Sequence, residues 1–211
     1  DKFVMTYTNE NAIQYDGGTT GAGVIEKNIE ISAPSGLVTM NNASTYNVTG
    51  IKGINEEKQL VQIPNEDAGK DINMNIALVN NTGENAKNVR IFGKLPTSGN
   101  KTTAEETTNT LETTLKNISA QNSTIYYSEN SNAGTDLSDS ANGWTTTLTP
   151  NSKVFLIVLD TLDTETNYTA TYTVQLPNPI QKDEMSYTEY DVIYDTESNK
   201  NITTKSSAIG F

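Results

Sequence analysis

Apolar and polar side chains alternate along much of this chain with a period of two. Ile72, Met74, Ile76 and Leu78 alternate with other residues, which is the pattern of a strand with one buried face. Asn80-Asn81-Thr82-Gly83 supplies a turn, and Val89, Ile91 and Leu95 resume the alternation until Pro96. The spacing therefore predicts a hairpin over residues 68–97 as the central element.

The same period returns further on. Tyr168, Ala170, Tyr172, Val174 and Leu176 alternate with Thr169, Thr171, Thr173 and Gln175, and Pro177 and Pro179 close the run. Val154-Phe-Leu-Ile-Val-Leu159 is a continuous apolar run, as expected for a strand covered on both faces. Gln59 to Pro64 predicts a short strand, and Ser123 to Ser128 another that carries Tyr126 and Tyr127. Trp144 opens a predicted Thr-rich strand and is expected to plug one end of the core. The last strand begins in one phase (Met185, Tyr187) and continues in the other (Tyr190, Val192, Tyr194), a slip that predicts a β-bulge. Leu111, Leu115 and Ile118 are spaced for one face of a short helix. Residues 97–110 read as a polar, mobile loop, and 134–143 as a second loop. Residues 39–53 are polar and rich in Gly and Asn, and read as a linker or irregular crossing.

The N-terminal part is informative only beside the C-terminus. Met5-Thr-Tyr-Thr and Ala12-Ile-Gln-Tyr-Asp16 match Met185-Ser-Tyr-Thr and Val192-Ile-Tyr-Asp195, and Ile29 to Leu37 matches Ile202 to Phe211 loosely. The offset is that of whole tandem domains. Residues 1–53 are thus expected to be the closing β-hairpin of a preceding repeat plus a linker. Residues 54–211 are expected to be one complete repeat. The expected fold is all-β, an antiparallel Ig-like β-sandwich.

Composition narrows the setting. Asn and Thr make up about a quarter of the 211 residues, and hydrophobic residues are 34%. The net charge of −12 opposes nucleic acid and anionic lipid as partners, since both need basic patches. There is no cysteine, so neither disulfide nor thiol chemistry is available, and no histidine, the commonest general base. No apolar run reaches the length of a membrane span and no leader precedes Asp1. The chain reads as an extracellular fragment of a longer protein, with no membrane insertion of its own.

Residues 68–97 and 144–176 resemble a repeat domain found in tandem in large surface proteins of Gram-positive type. In that family a strand leads to Asn-x-Gly, then an Ala-x-Asn-Val strand, then Leu-Pro-x-Gly. Here the equivalents are Asn81-Thr82-Gly83, Ala86-Lys87-Asn88-Val89 and Leu95-Pro96-Thr97-Ser98-Gly99, with Ser98 an extra residue. The family's Trp strand and closing strand look like Trp144 and Leu162 to Leu176. The resemblance implies an Ig-like stalk or spacer in a wall-attached or secreted adhesin, with neighbouring copies of the repeat as partners and no catalytic residue to carry over.

Candidate chemistry is sparse. Leu95-Pro-Thr-Ser-Gly99 approaches a sorting signal but lacks the Thr-Gly ending and the apolar tail; Pro96 as a strand terminator is the commoner reading. Glu30-Ile-Ser-Ala-Pro-Ser-Gly36 resembles a block of a collagen-binding-adhesin B-type family in which Lys and Asn form an isopeptide bond. Lys70, Lys94 and Lys153 flank strands, where solvated lysines are the rule. Asp160, Asp163 and Glu165, with Asn167, form an acidic stretch whose hard oxygens would suit calcium, as would Asp136 and Asp139. No Asp-x-Asp-x-Asp-Gly loop accompanies them, and acidic turns are usually only solvated. Sequons at Asn47, Asn80, Asn117, Asn167 and Asn201 arise by chance in such a composition.

Two functions follow from this reading. The first is a rod-forming repeat that spaces or presents a distal binding domain, which requires chain ends at opposite ends of the sandwich and bland loops. The second is a module that itself holds a host protein or glycan through residues 98–123 and 129–143, which requires an exposed aromatic groove near those loops. A hydrolase would need a charged constellation that the sequence does not offer, so no enzymatic role is expected.

Overall fold

The structure is a computed structural model that describes residues 3–4, 28–29, 36–43, 48–51, 59–60, 67–99, 108–181, 184, 186–206 and 208–210. The chain divides into Asp1–Ala33 and Pro34–Phe211. In the first unit, β1 (Phe3–Val4) pairs antiparallel with β2 (Asn28–Ile29). The Met5-Thr-Tyr-Thr and Ile13 to Asp16 blocks of the expected repeat lie outside the described residues, as do 100–107 of the polar loop.

The second unit holds two sheets. One comprises β3 (Gly36–Ala43), β4 (Val48–Ile51), β6 (Asp71–Asn81), β8 (Thr114–Ala120) and β11 (Asn167–Gln175), in the order β4-β3-β6-β11-β8. The other comprises β5 (Gln59–Leu60), β7 (Ala86–Lys94), β9 (Thr124–Ser128), β10 (Val154–Leu162), β12 (Tyr187–Asp195), β13 (Ile202–Lys205) and β14 (Ile209–Gly210). Its order is β5-β14-β12-β7-β10-β9, with β13 also on β12. All the pairings are antiparallel except the short β5–β14 contact, which is parallel.

The connectivity is that of an Ig-type sandwich. Strands β3, β6, β11 and β8 stand in the A-B-E-D order, and β7, β12 and β13/β14 supply C, F and G. The β9–β10 pair is inserted between D and E and extends the sheet beyond C. The expected antiparallel Ig-like β-sandwich is therefore observed.

The core is the alternation seen in the sequence. Ile72, Met74, Ile76 and Leu78 face Val89, Ile91, Phe155, Ile157 and Leu159 across the two layers, with Tyr168, Ala170, Tyr172, Val174 and Val192. Each such side chain, fully buried, contributes about 1.5–3 kcal/mol.

Four expectations need correction. The hairpin over residues 68–97 is not a hairpin: β6 and β7 lie in different sheets, and the turn between them is an arch over the edge of the sandwich. Both strands have one apolar face, and stacking those faces across the core buries them as edge-to-edge pairing would not. The helix at Leu111–Ile118 is strand β8. The ladder with β11 shifts between Thr173 and Val174, where Asn117 and Leu115 face successive residues and Lys116 is the extra one. A bulge turns the period of two into a spacing of three, so Leu115 and Ile118 are both buried without a helix.

Residues 39–53 are not a linker, because β3 and β4 are strands of the first sheet and the second unit begins at Pro34. Polar composition concealed them: Thr39 is wholly buried, and its hydroxyl donates to the carbonyl of Lys205 at 3.1 Å. Trp144 opens no strand, since Thr145 makes only an isolated bridge to Tyr127, and it is not at an end of the core. It lies half-buried on the outer face of the larger sheet, edge-on to Phe92 with ring centroids 6.2 Å apart, in a second cluster with Ala133, Val154 and Leu156. That cluster covers the second face of β10, as the run Val154–Leu159 implied.

The phase slip expected in the last strand is present, but the bulge lies in its partner β7, where Asn88 and Val89 stand opposite the single Tyr194. Tyr187 and Thr188 are both buried, and the ladder with β7 shifts between Ile193 and Asp195, opposite Asn88 (φ 52°).

Candidate binding surfaces and the placement of charged residues

The registers place the chain ends of the sandwich. Gly36 pairs with Asn81, next to the β6–β7 arch. Gly210 pairs with Tyr187, two residues before the Glu189–Lys94 pair that marks the other end of β7. The chain therefore comes in at the Asn81 end and leaves at the Lys94 end.

The Asn81 end is stitched by polar side chains. Asn80, with no exposed surface, donates to the carbonyls of Glu84 (3.0 Å) and Leu162 (2.8 Å) and accepts from the amide and hydroxyl of Thr82. Its backbone pairs with Glu165 and Thr166 of the β10–β11 arch. Glu84 accepts from the amide and hydroxyl of Ser198, and these bonds hold its carboxyl below the usual range. Asp195 accepts from the amide of Asn201 and from Asn88, which lowers its carboxyl too.

The Lys94 end carries the long β9–β10 connection, residues 129–153, which folds back over the outer face of the larger sheet. Ser128 donates to the Asn142 carbonyl at 2.5 Å, Asn130 to that of Ala141, and Asn142 to that of Asp136. Asn142 also accepts from the amide of Gly134, whose carbonyl takes the Trp144 indole N–H at 3.0 Å. Asp139 caps the short 3-10 turn Ser140–Asn142, and Gly143 (φ 63°) ends it in a left-handed conformation. Bonds from Ser138 lower the Asp136 carboxyl. This loop spends its aromatic and amide groups on its own structure, and at its tip Leu137 is exposed.

The acidic residues expected as calcium ligands are spread along the Asn81 end. Asp160 stands exposed on β10, Asp163 follows that strand, Glu165 sits in the arch with φ 59°, and Asn167 opens β11. Among the described residues no group of three or more Asp or Glu side chains converges as metal ligands. Of the lysines weighed for a crosslink, Lys70 pairs with Asp67, Lys153 with Glu112, and Lys94 is exposed beside the Phe92 ring.

Two shallow grooves lie among the described residues. One, of about 310 Å³, lies along Ser128–Asn130, Gly143, Thr145, Thr149 and Ser152. The other, of about 320 Å³, lies on the outer face of the smaller sheet at the β8–β11 border, lined by Ser119, Gln121, Asn122 and residues 167–171. Neither has an exposed aromatic side chain in its lining. Sequence reasoning missed the second groove, because its residues alternate with core positions and read only as the wet side of a strand.

No family model matches the chain, and no curated protein matches it. Among solved structures, the collagen-binding subdomain of the Enterococcus faecalis surface protein ACE overlaps at TM-score 0.37 and 12% identity, covering 72% of this chain and 92% of that one. The collagen-binding domain of a Staphylococcus aureus adhesin overlaps at TM-score 0.32 and 12% identity, covering 70% and 91%. AvmM, which catalyses macrocyclization in alchivemycin A biosynthesis, overlaps at TM-score 0.35 and 8% identity, covering 96% and 95%. Overlaps this loose bear on neither the activity nor the ligand of this chain.

Proposed function

We propose that this chain is an extracellular structural module of a bacterial surface adhesin, a β-sandwich that spaces or presents a distal binding domain. The observation that carries the reading is the placement of Gly36 and Gly210 at opposite ends of the sandwich. Strands of nine to eleven residues run between those ends, so each copy adds about 35 Å of reach. The stitched arches at the Asn81 end and the acidic, Cys-free, Thr-rich composition fit the same role. Calcium and catalysis have no part in it.

Small-angle scattering of one copy and of two copies joined head to tail tests this. The maximum dimension should grow by about 35 Å or more. Two copies that fold back to nearly the dimension of one would refute the role.

One observation favours a second reading, in which the module itself holds a host protein. The 129–143 loop is ordered by its own hydrogen bonds rather than bland, and it leaves Leu137 exposed.

A further inference from the structure

We propose that Asn142 is a self-modification site, an asparagine that converts to aspartate and isoaspartate when the 129–143 loop opens. Asn142 is the only asparagine of the chain that precedes glycine. Glycine has no Cβ, so its backbone nitrogen approaches the preceding side chain without steric hindrance. In the reaction the Gly143 nitrogen bonds to Asn142 Cγ, the Cγ–Nδ2 bond breaks, and the proton from the Gly143 N–H departs with the leaving ammonia. The product is a five-membered succinimide. Water then adds at one of the two ring carbonyls and breaks its bond to the Gly143 nitrogen, which leaves either aspartate or an isoaspartate linkage. One water enters, one ammonia leaves, and nothing is oxidised or reduced.

The folded loop ties up both reacting groups. The Gly143 N–H donates to the Ser140 carbonyl at 3.2 Å. The Asn142 side-chain amide donates to the Asp136 carbonyl at 2.8 Å and accepts from the Gly134 amide at 2.7 Å, and the residue is 7% exposed. Asn142 also closes the 3-10 turn Ser140–Asn142, where ψ is about −20 to −30°. Ring closure needs ψ to rotate far from that value, so the chemistry proceeds only from an opened loop and at a rate set by the open population. With that population at about 0.1–10%, folding slows the reaction about ten- to a thousandfold. The product then holds the loop open. Aspartate at 142 has no N–H to give the Asp136 carbonyl, and isoaspartate adds a carbon to the main chain inside the turn that Asp139 caps. The new carboxylate also joins Asp136 and Asp139 in the same loop, where like charges repel.

Peptide mapping of the full chain, held at mildly alkaline pH either folded or unfolded in urea, reads the site directly. In urea Asn142 should convert faster than Asn122, Asn130 and Asn151, each of which precedes a serine whose Cβ crowds the same step. In the folded chain Asn142 should convert about tenfold or more slowly than in urea. Asp139→Ala removes the bond that caps the turn and should speed the folded-state reaction several-fold. Should that variant misfold, the parent in urea below its unfolding transition reads the same gate, and its rate should rise before the sandwich unfolds. The modified fraction, separated by its extra negative charge, should show red-shifted Trp144 emission and faster cleavage within 129–143. The proposal is overturned if folding does not slow the conversion, if another asparagine leads in urea, if neither Asp139→Ala nor mild urea speeds it, or if the modified fraction keeps the parent emission. The spacer role does not depend on this outcome, and the scattering experiment does not involve the loop.

Discussion

The side-chain amide of Asn80, at the end of one sheet, donates at 2.8 Å to the carbonyl of Leu162, at the end of the other. The pair closes two arches at once, because the same side chain also holds Thr82 and Glu84 in the β6–β7 turn. Removing it takes the donor from the buried Leu162 carbonyl and a partner from the Thr82 amide, while the Glu84 carbonyl keeps the Thr82 hydroxyl. Asn80→Ala should cost about 2–4 kcal/mol, read as a lower urea midpoint with the slope unchanged. A loss under about 0.5 kcal/mol would mean that the arches are held by backbone alone.

Gly93 is a second point of strict fit. A Cβ built there would lie 2.1 Å from Phe155 Cζ, with two more ring atoms within 2.6 Å. The Phe155 ring is fully buried and tilts against Tyr172 with centroids 5.1 Å apart. Gly93→Ala should therefore destabilise by about 3 kcal/mol or more. Adding Phe155→Leu should recover part of the loss, so that the two changes are non-additive. Strict additivity would contradict the packing described.

Acid stability should depend on two carboxyls at the Asn81 end and on Asp136 in the β9–β10 connection. The Glu84, Asp195 and Asp136 carboxyls are all lowered. Their contribution is therefore present above the ordinary carboxylate pKa and is lost as pH falls through the folded values, below about pH 4. Ser198→Ala removes one of the bonds on Glu84 and should flatten this acid limb. Asp191 has the opposite sign. Burial raises its carboxyl, partly offset by Lys205, so its contribution is present below the ordinary value and is lost as pH rises through the folded one. Asp191→Asn should accordingly gain stability at pH 7 relative to pH 3, measured by urea midpoints at the two pH values.

The outer cluster gives a local reporter, since Trp144 is the single tryptophan. Asn142→Ala removes the bonds to Gly134 and Asp136 that fold the loop over Phe92. It should red-shift the tryptophan emission and speed proteolysis within 129–143. The global midpoint should move by only about 1 kcal/mol. Emission unchanged from the parent would show that the indole is held by Phe92 alone.

Much of this fold was legible in the alternation. Tyr168 to Leu176 became β11 with its even positions buried, and Val154 to Leu159 became the strand covered on both faces. The misreadings share one cause, which is that local pattern does not specify the partner. An arch and a hairpin carry the same turn residues, so the pairing of β6 and β7 could not be read from Asn80–Gly83. Lys116 in its bulge made a strand look helical, and the buried Thr39 made a strand look like a linker. The acidic residues were visible as a run, but the strand, arch and strand that they occupy hold them apart. The β8–β11 groove needed the tertiary register, which brings Ser119 beside Thr171 across the ladder.

Pulling single molecules tests the central claim most directly. With handles at the two chain ends, force runs along β3 from Gly36 and along β14 from Gly210, so the ladders to β6 and β12 are loaded in shear and their hydrogen bonds must fail together. With handles at the N-terminus and at Lys200→Cys, a unique thiol in this Cys-free chain, both attachments to the sandwich lie at the Asn81 end and β3 peels from β6 one bond at a time. The account predicts a clearly higher rupture force for the first geometry. Equal forces, or a lower one end to end, would contradict a module built to carry load between its two ends.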